Sequence, residues 1–192
     1  EAKQVTRGDL AALIGVRLAN LVDAAPVRDI GVITDIRGQW AERWIAPVAR
    51  TGIIEALPNH AFQPRGIVRR VDLAQAVAHL VNLLAATQPA RVARWADARG
   101  RFTDLTSSHL AYPAVSLAVA SGVLAPTETG AFQPTRPVTG AEAVAFGLAD
   151  EVVEGRDDEA PDEATTAMAA YAATHYRHTP TRIHAMTTAP NT

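Results

Sequence analysis

Apolar side chains recur every three or four residues in several stretches of the chain, which is the spacing of one face of an α-helix. The clearest stripes are Ala41, Trp44, Ile45 and Val48 in one stretch and Leu73, Val77, Leu80 and Leu84 in another. Gly52 follows the first stripe as a helix stop, whereas Pro47 inside it is expected to kink the helix or shift its start. A further helix is expected to begin near Pro113 and to run to Gly122. These patterns predict an all-α chain.

The chain also repeats itself. Segments 52–64 and 122–134 align without gaps and both end in Ala-Phe-Gln-Pro, at an offset of 70 residues. A short valine-led block follows each segment, beginning at Val68 and at Val138, and the same block opens the chain at Val5. Recurrence at a fixed period is typical of repeated structural units.

These recurrences predict the organisation of the whole chain. We expect the C-terminal half of one repeat at residues 1–22, complete repeats at 33–86 and 102–152, and an acidic linker with a threonine-rich tail at 153–192. Each complete repeat is expected to form two helices joined by a turn, with Phe62 and Phe132 as the core residues that anchor the turns. The connector around Trp95 is interpreted as a solvated segment or short helix with one packed indole, rather than a nucleic-acid site.

The valine-led blocks carry helix-start signals. Thr6 with Asp9 forms a capping-box pattern, and Thr139 with Glu142 repeats it, whereas Arg69 replaces the threonine in the middle block. The middle helix start is therefore expected to be weaker by about 1 kcal/mol. Two recurring aspartates, Asp35 and Asp104, stand at helix-entry positions, where capping accounts for them.

Capping does not explain Arg7 and Arg70 at the first helical position, where a cation opposes the helix dipole. Free amides at a helix N-terminus attract anions, and an added guanidinium can bind a carboxylate or phosphate through two hydrogen bonds. An anion bound at these positions is one hypothesis, and a solvated arginine is the other.

The order of these motifs resembles the S-layer homology domain. The residues that carry the resemblance are Ile33-Thr34-Asp35-Ile36, Gln39-Trp40-Ala41, Gly52-Ile53-Ile54, Ala61-Phe62-Gln63-Pro64 and Arg70-Val71-Asp72, with looser counterparts from Phe102 to Glu142. The resemblance implies helix-turn-helix repeats around a central helical bundle, with grooves that bind an acidic cell-wall polysaccharide or a peptidoglycan-linked polymer. It implies a cell envelope or extracellular location.

The resemblance to that family implies three sets of glycan-binding candidates: Arg7 with Asp9, Arg70 with Asp72, and Trp40 as a ring that lines a groove. The competing interpretation of Trp40 is packing in the core. The third block departs from the pattern because Gly140 stands at the arginine position, and residues 56–60 lack the family's usual turn. The alternative function is a protein-interaction or self-assembly module of an envelope structure.

Composition narrows the function classes further. A formal net charge of -2 argues against general binding to a phosphate backbone, and no nucleophile, phosphate-loop or metalloprotease motif indicates an enzyme or a cofactor. No apolar run is long enough for a membrane span, and the first residues lack a signal-peptide layout. Because the sequence starts at Glu without Met, we expect a processed or excised piece. The chain contains no cysteine, which leaves the compartment open.

The tail is expected to pack on another protein surface, and its histidines are a weak candidate for a metal site. Tyr171, Tyr176 and Ile183 are expected to anchor it on the repeat body, on a second copy in a homo-oligomer or on an envelope protein partner. Its three histidines lie in a threonine-rich segment without nearby carboxylates, which makes a poor metal site. We therefore expect no metal. These histidines are His175, His178 and His184.

Overall fold

A computed structural model describes residues 4–147, apart from the side chain of Arg91. Within that range the chain forms helices and turns, and its only β pairing consists of isolated bridges between Thr6 and Ile67 and between Arg69 and Pro137. The helices are α1 (Arg7–Arg17), α2 (Ala19–Ala24), α3 (Glu42–Thr51), α4 (Arg70–Thr87), α5 (Pro89–Val92), α6 (Tyr112–Ala120) and α7 (Gly140–Gly147), and a 3-10 turn spans Ala93–Trp95. The prediction of a helical chain is confirmed for these residues.

Local sequence signals determine most helix ends. Gly52 closes α3 with a φ of 80°, a left-handed conformation in which glycine avoids the clash of a Cβ atom. Pro113 lies in the first turn of α6, where its missing amide costs no helical hydrogen bond. Pro47 lies inside α3, which begins at Glu42, so the helix starts before the proline rather than at it.

The starts of three helices are joined through their backbones. The amide of Val68 donates to the carbonyl of Val5 at 2.9 Å, and the amide of Val138 donates to the carbonyl of Val68 at 2.8 Å. All three valines are buried. The valine-led blocks, far apart in the chain, therefore meet at one place and set the relative positions of α1, α4 and α7.

Close helix packing depends on small residues. In α1, a Cβ atom built on Gly15 would lie 2.5 Å from Cδ1 of Trp44, so the glycine lets α3 lie directly against α1. In α7, a Cβ atom on Gly147 would lie 3.1 Å from Cγ of Leu13 in α1. Helix α4 packs on α6. Each helix that follows a valine-led block thus rests against a helix from another part of the chain.

The core contains the residues that periodicity selected. The α4 stripe of Leu73, Val77, Leu80 and Leu84 is buried, and the rings of Phe62, Phe132 and Phe146 are fully buried. The connector after α4 folds into α5 and the 3-10 turn, and its indole at Trp95 is buried. These findings confirm the two phenylalanines as core residues and the short connector helix with one packed tryptophan.

The role expected for Asp35 and Asp104 was wrong. The Asp35 carboxylate accepts hydrogen bonds from the amides of Phe62 and Gln63, each at 2.7 Å. Asp104 accepts the same two bonds, also at 2.7 Å, from the Phe-Gln pair 70 residues further on. These aspartates fix a distant turn rather than cap a nearby helix, because the next helices begin only at Glu42 and Tyr112.

Several expectations concern residues that the structure does not describe. The linker and tail at 153–192, the tail anchors and the tail histidines all lie outside residues 4–147. Among the described residues, no helix is both long and apolar enough to cross a membrane.

Candidate functional site

The helix starts that carry Arg7 and Arg70 are covered by the Phe-Gln-Pro turns. The first two amides of α1 donate to the carbonyls of Gly66 and Pro64, each at 2.8 Å. The first two amides of α4 donate to the carbonyls of Arg136 and Pro134, at 2.9 and 3.0 Å. These amides are not free, contrary to the expectation from sequence, because a turn from the following part of the chain supplies their acceptors. Any anion site here must use side chains.

Arg7 lies across one of these turns and keeps part of its guanidinium unbonded. Its Nε donates to the carbonyl of Phe62 and its Nη2 to the carbonyl of Glu55, each at 2.7 Å. The guanidinium carbon lies 4.7 Å from the centre of the Phe62 ring, which adds a cation–π contact. Nη1 makes no hydrogen bond within residues 4–147. Arg7 therefore holds the turn and still presents a donor.

Arg70 repeats this geometry but uses all three nitrogens inside the fold. Its Nε and Nη2 donate to the carbonyls of Phe132 and Ala125, each at 2.7 Å, and its Nη1 pairs with the Glu142 carboxylate. The same carboxylate oxygen accepts from Arg136 at 2.6 Å. Arg70 is only 3% exposed. Its charge is therefore neutralised by protein groups and shielded from solvent.

Three residue differences between the surroundings of Arg7 and those of Arg70 explain why Arg70 is more fully bonded. At the 70-residue offset, Glu142 corresponds to Asp72, which is one methylene shorter, and Arg136 corresponds to Gly66. Phe146, fully buried, corresponds to Ala76. At the corresponding positions near Arg7, the chain therefore has a shorter acid, a glycine in place of the second arginine, and an alanine in place of the aromatic ring.

A cavity of about 290 Å³ opens beside Arg7. Its walls are the start of α1, the loop 53–58 and one face of α4. The α4 residues that line it are Asp72, Gln75, Ala76 and His79, whose spacing of three and four places them on one side of the helix. The volume is close to the lower end of the range for small-ligand sites, about 300–1,000 Å³.

The arginines in and near the cavity wall remain protonated at neutral pH. Burial lowers the pKa of Arg7, while Asp72 and Asp35 act in the opposite direction. Burial, followed by the neighbouring Arg136, lowers the pKa of Arg70 to about 10, still well above neutral pH. The Asp72 carboxylate is bound by the guanidinium of Arg69, at 2.9 and 3.0 Å. At neutral pH, Arg7 is thus the cation that faces the cavity, and the nearby acid already has a partner.

The remaining candidates from sequence occupy other environments. Asp9 is buried and accepts from the amide and hydroxyl of Thr6 at 2.9 and 2.8 Å, which completes the expected capping box. Trp40 is 57% exposed, meets Trp44 edge to face at 5.8 Å, and does not line the cavity. Arg7 and Asp72 both line the cavity, whereas Asp9, Arg70 and Trp40 do not.

Sequence reasoning missed the residues that separate the two arginine positions. Glu142 was assigned only to the third capping box, which it does form, at 2.9 Å from the Thr139 amide. Its pairing with Arg70 joins the first turn of α7 to the first residue of α4, and its pairing with Arg136 joins α7 to the turn before it. Comparing Glu142, Arg136 and Phe146 with their counterparts 70 residues earlier could have revealed the difference. His79 has no such signal, because it belongs to no recurring motif.

Two comparisons with known proteins identify part of the chain. Residues 101–144 match the family model of the S-layer homology domain. An S-layer protein from Bacillus thuringiensis subsp. finitimus is 28% identical over 149 residues, which is 75% of this chain and 16% of that protein. The chain thus spans a small part of that relative's length. Among residues 4–147, no cluster of histidine and acidic side chains could hold a metal ion.

The match confirms the resemblance for residues 101–144, while the count of three repeats and their boundaries stay predictions. Both comparisons point towards a structural or anchoring protein rather than an enzyme. Residues 101–144 are thus similar to an S-layer homology domain, and the chain is similar to an S-layer protein, which indicates a protein of the cell envelope or surface.

Proposed function

We propose that this chain is a non-catalytic module that anchors a surface or envelope protein to an acidic cell-wall polysaccharide or to peptidoglycan. The observation that carries the proposal is the position of Arg7 in the wall of a cavity of about 290 Å³, with no hydrogen bond from its Nη1 to any group of residues 4–147. A guanidinium with a free donor recognises carboxylates and phosphates, which are the acidic groups that wall polymers carry.

The geometry supports one binding position rather than several equivalent ones. Arg70 is bonded through all three nitrogens, and Gly140 replaces the arginine of the third block. The ligand position that we propose therefore combines Arg7 with Asp72, and Asp9 supports it indirectly by capping the helix that carries Arg7. Trp40 lies outside the cavity and contributes only if the polymer extends across the adjacent surface.

The test is co-sedimentation of the purified chain with cell-wall sacculi that retain or lack their acidic polymers. We expect the unaltered chain to pellet with the retained form alone when the ligand is the acidic polysaccharide, and with both forms when it is peptidoglycan. Arg7→Gln removes the cation, and Ala76→Phe places in the cavity the residue found at the corresponding position of the third block. Both variants should stay in the supernatant. Arg101→Gln, an exposed arginine outside the cavity, is the control with the same change in charge.

Pelleting of both cavity variants to the level of Arg101→Gln would exclude this position. Pelleting of the unaltered chain with both forms of sacculi would exclude an acidic polymer as ligand. Ala76→Phe removes no polar group, so its failure to bind would show that the space itself is required. Each variant is first compared with the unaltered chain by circular dichroism, so that loss of folding is not counted as loss of binding.

The second candidate function is a protein-interaction or self-assembly module. Corresponding positions in the two halves of the described chain expose large apolar side chains, with Trp40 57% exposed and Leu110 97% exposed. Exposed apolar side chains can contribute to a protein interface. This function predicts concentration-dependent oligomers in the absence of wall material, which sedimentation velocity measures directly. A chain that stays monomeric at high concentration would exclude self-assembly.

A further inference from the structure

The starts of α1 and α4 are covered by turns, whereas the start of α7 is not. The first two amides of α1 donate to carbonyls of the turn 62–66, and those of α4 donate to carbonyls of the turn 132–136. In α7 the corresponding amides belong to Gly140 and Ala141, and neither donates a hydrogen bond to any group of residues 4–147. Within the described chain, α7 therefore lacks the turn that both of its counterparts have.

The residue before each of these helices shows the same difference. The residues before α1 and α4 each pair, through an isolated β bridge, with the residue that follows a turn. Thr139, which precedes α7, forms no such bridge within the described part of the chain, and it is exposed, as is Ala141. We refer to residues 139–141 as the open edge. Exposed backbone groups of this kind can pair with an added extended segment.

The tail contains a segment with the sequence of these turns. Residues 180–183 are Pro-Thr-Arg-Ile, compared with Pro-Thr-Arg-Pro at 134–137 and Pro-Arg-Gly-Ile at 64–67. In both turns of the structure, the first and third of these four residues supply the carbonyls, and the fourth forms the bridge. At each of these three positions, the tail segment thus has a residue that one of the two turns also has.

The surroundings of the tail segment and of α7 differ from the other two interfaces in a matched way. Two residues before the proline, both turns have a buried phenylalanine, whose carbonyl binds Arg7 or Arg70. The tail has His178 at that position, and α7 begins with Gly140 in place of the arginine. Both members of this contact are therefore changed together. A third interface would depend on its backbone hydrogen bonds and be weaker than the other two.

The tail is long enough to reach the open edge of its own chain. About 30 residues separate Gly147 from Pro180, and they span up to about 100 Å when extended, whereas α7 is only about 12 Å long. A segment on such a tether is present at a high effective concentration, which favours docking within one chain over docking between two chains.

We propose that residues 180–183 of the tail dock on the open edge of the same chain. In the geometry of the other two interfaces, the carbonyls of Pro180 and Arg182 accept hydrogen bonds from the first two amides of α7. Ile183 pairs with Thr139. The tail thereby completes a third contact between a turn and a helix start. The inference does not depend on the ligand of the cavity, because no residue of the open edge lines it.

A disulfide test measures the placement directly, because the chain contains no cysteine. Thr139→Cys with Ile183→Cys should form an intramolecular disulfide under mild oxidation, since paired residues of a β bridge lie within the Cα distances that a disulfide requires, about 4.4–6.8 Å. Thr6→Cys with Ile67→Cys joins a bridge that the structure contains and is the positive control. Thr139→Cys with Met186→Cys, which places the second cysteine three residues further along the tail, is the negative control.

The rates of disulfide formation give the expected result. The proposed pair should close within about tenfold of the rate of the positive control and at least about tenfold faster than the negative control, because docking raises the effective concentration of one cysteine at the other. In concentrated urea the two tail pairs should close at similar rates, since the docked geometry is then lost.

Amide hydrogen exchange gives a readout that needs no cysteine. The full chain is compared with a chain that ends at residue 177 and one that ends at residue 186. Exchange at Gly140 and Ala141 should be slow in the full chain and in the longer truncation, and at least about tenfold faster in the shorter one. Ile183→Asp should have the effect of the shorter truncation, whereas Met186→Asp should have none.

Every other outcome overturns the proposal. Equal rates for the two tail pairs in the absence of urea would show that the segment does not dock at this place. Fast exchange at Gly140 and Ala141 in the full chain would show that the open edge is uncovered, and slow exchange that survives the shorter truncation would show that another group covers it. A disulfide between two chains, or protection that is lost on dilution, would show that a second copy supplies the segment.

Discussion

Replacement of Arg70 by methionine should destabilise the fold far more than the same change at Arg7. Arg70→Met removes the donors to two backbone carbonyls and to Glu142 at a position that is only 3% exposed. Breaking a buried ion pair from one side costs about 3–5 kcal/mol, because the remaining polar groups lose their partner without regaining water. Arg136 continues to neutralise Glu142, which keeps the expected loss within that range.

The corresponding loss at Arg7 is smaller. Arg7→Met removes two hydrogen bonds to carbonyls, one of them solvent-exposed, and breaks no carboxylate pair. Hydrogen bonds of this kind contribute about 0.5–1.5 kcal/mol each, and the solvent-exposed bond contributes near the lower limit, so the loss should be about 1–2 kcal/mol. The two arginines resemble one another in sequence, and only their exposure and acidic partners separate the two values.

Urea unfolding, followed by far-UV circular dichroism and tryptophan emission together, measures both losses. With a slope of about 2 kcal/mol per M, the Arg70→Met midpoint should fall by about 1.5–2.5 M and the Arg7→Met midpoint by about 0.5–1 M. The double variant Arg70→Met with Glu142→Leu should regain part of the loss, since an apolar pair replaces the buried ion pair. Equal midpoints for the two single variants would refute the assignment of Arg70 to the interior of the fold.

Two further predictions concern the turns. Asp35→Asn and Asp104→Asn should each lower the free energy of unfolding by about 1–3 kcal/mol in urea titrations, because the side-chain amide can accept only one of the two hydrogen bonds. A loss of stability in only one of the two variants would contradict the repeated geometry. Gly122→Ala should cost about 1–2 kcal/mol through its φ of 79° alone, since a Cβ there meets nothing within 4 Å. Gly52→Ala should lower the free energy of unfolding, measured by calorimetry, somewhat more than Gly122→Ala, since its Cβ would also displace Arg28. An unchanged melting temperature for either glycine variant would contradict the conformational argument.

The sequence by itself determined the local features of this protein. Apolar residues at helical spacing predict the buried face of α4, because the period of a helix is a property of a single segment. A glycine after Thr51 predicts the end of α3, and the threonine–acid pairs predict the capping boxes of α1 and α7, because every atom involved lies within a few residues. The 70-residue recurrence predicts equivalent turns.

Only the tertiary structure decided what the arginines do. Arg7 and Arg70 look equivalent in sequence, yet their environments depend on residues about 50 to 70 positions further along the chain, including the change from Asp72 to Glu142. Asp72 is bound by Arg69, whereas Glu142 pairs with Arg70, and which acid meets which guanidinium depends on how the helices are placed. Within residues 4–147, Nδ1 of His79 is buried and has no hydrogen-bond partner, and such a missing bond can be recognised only when every neighbouring group is in position.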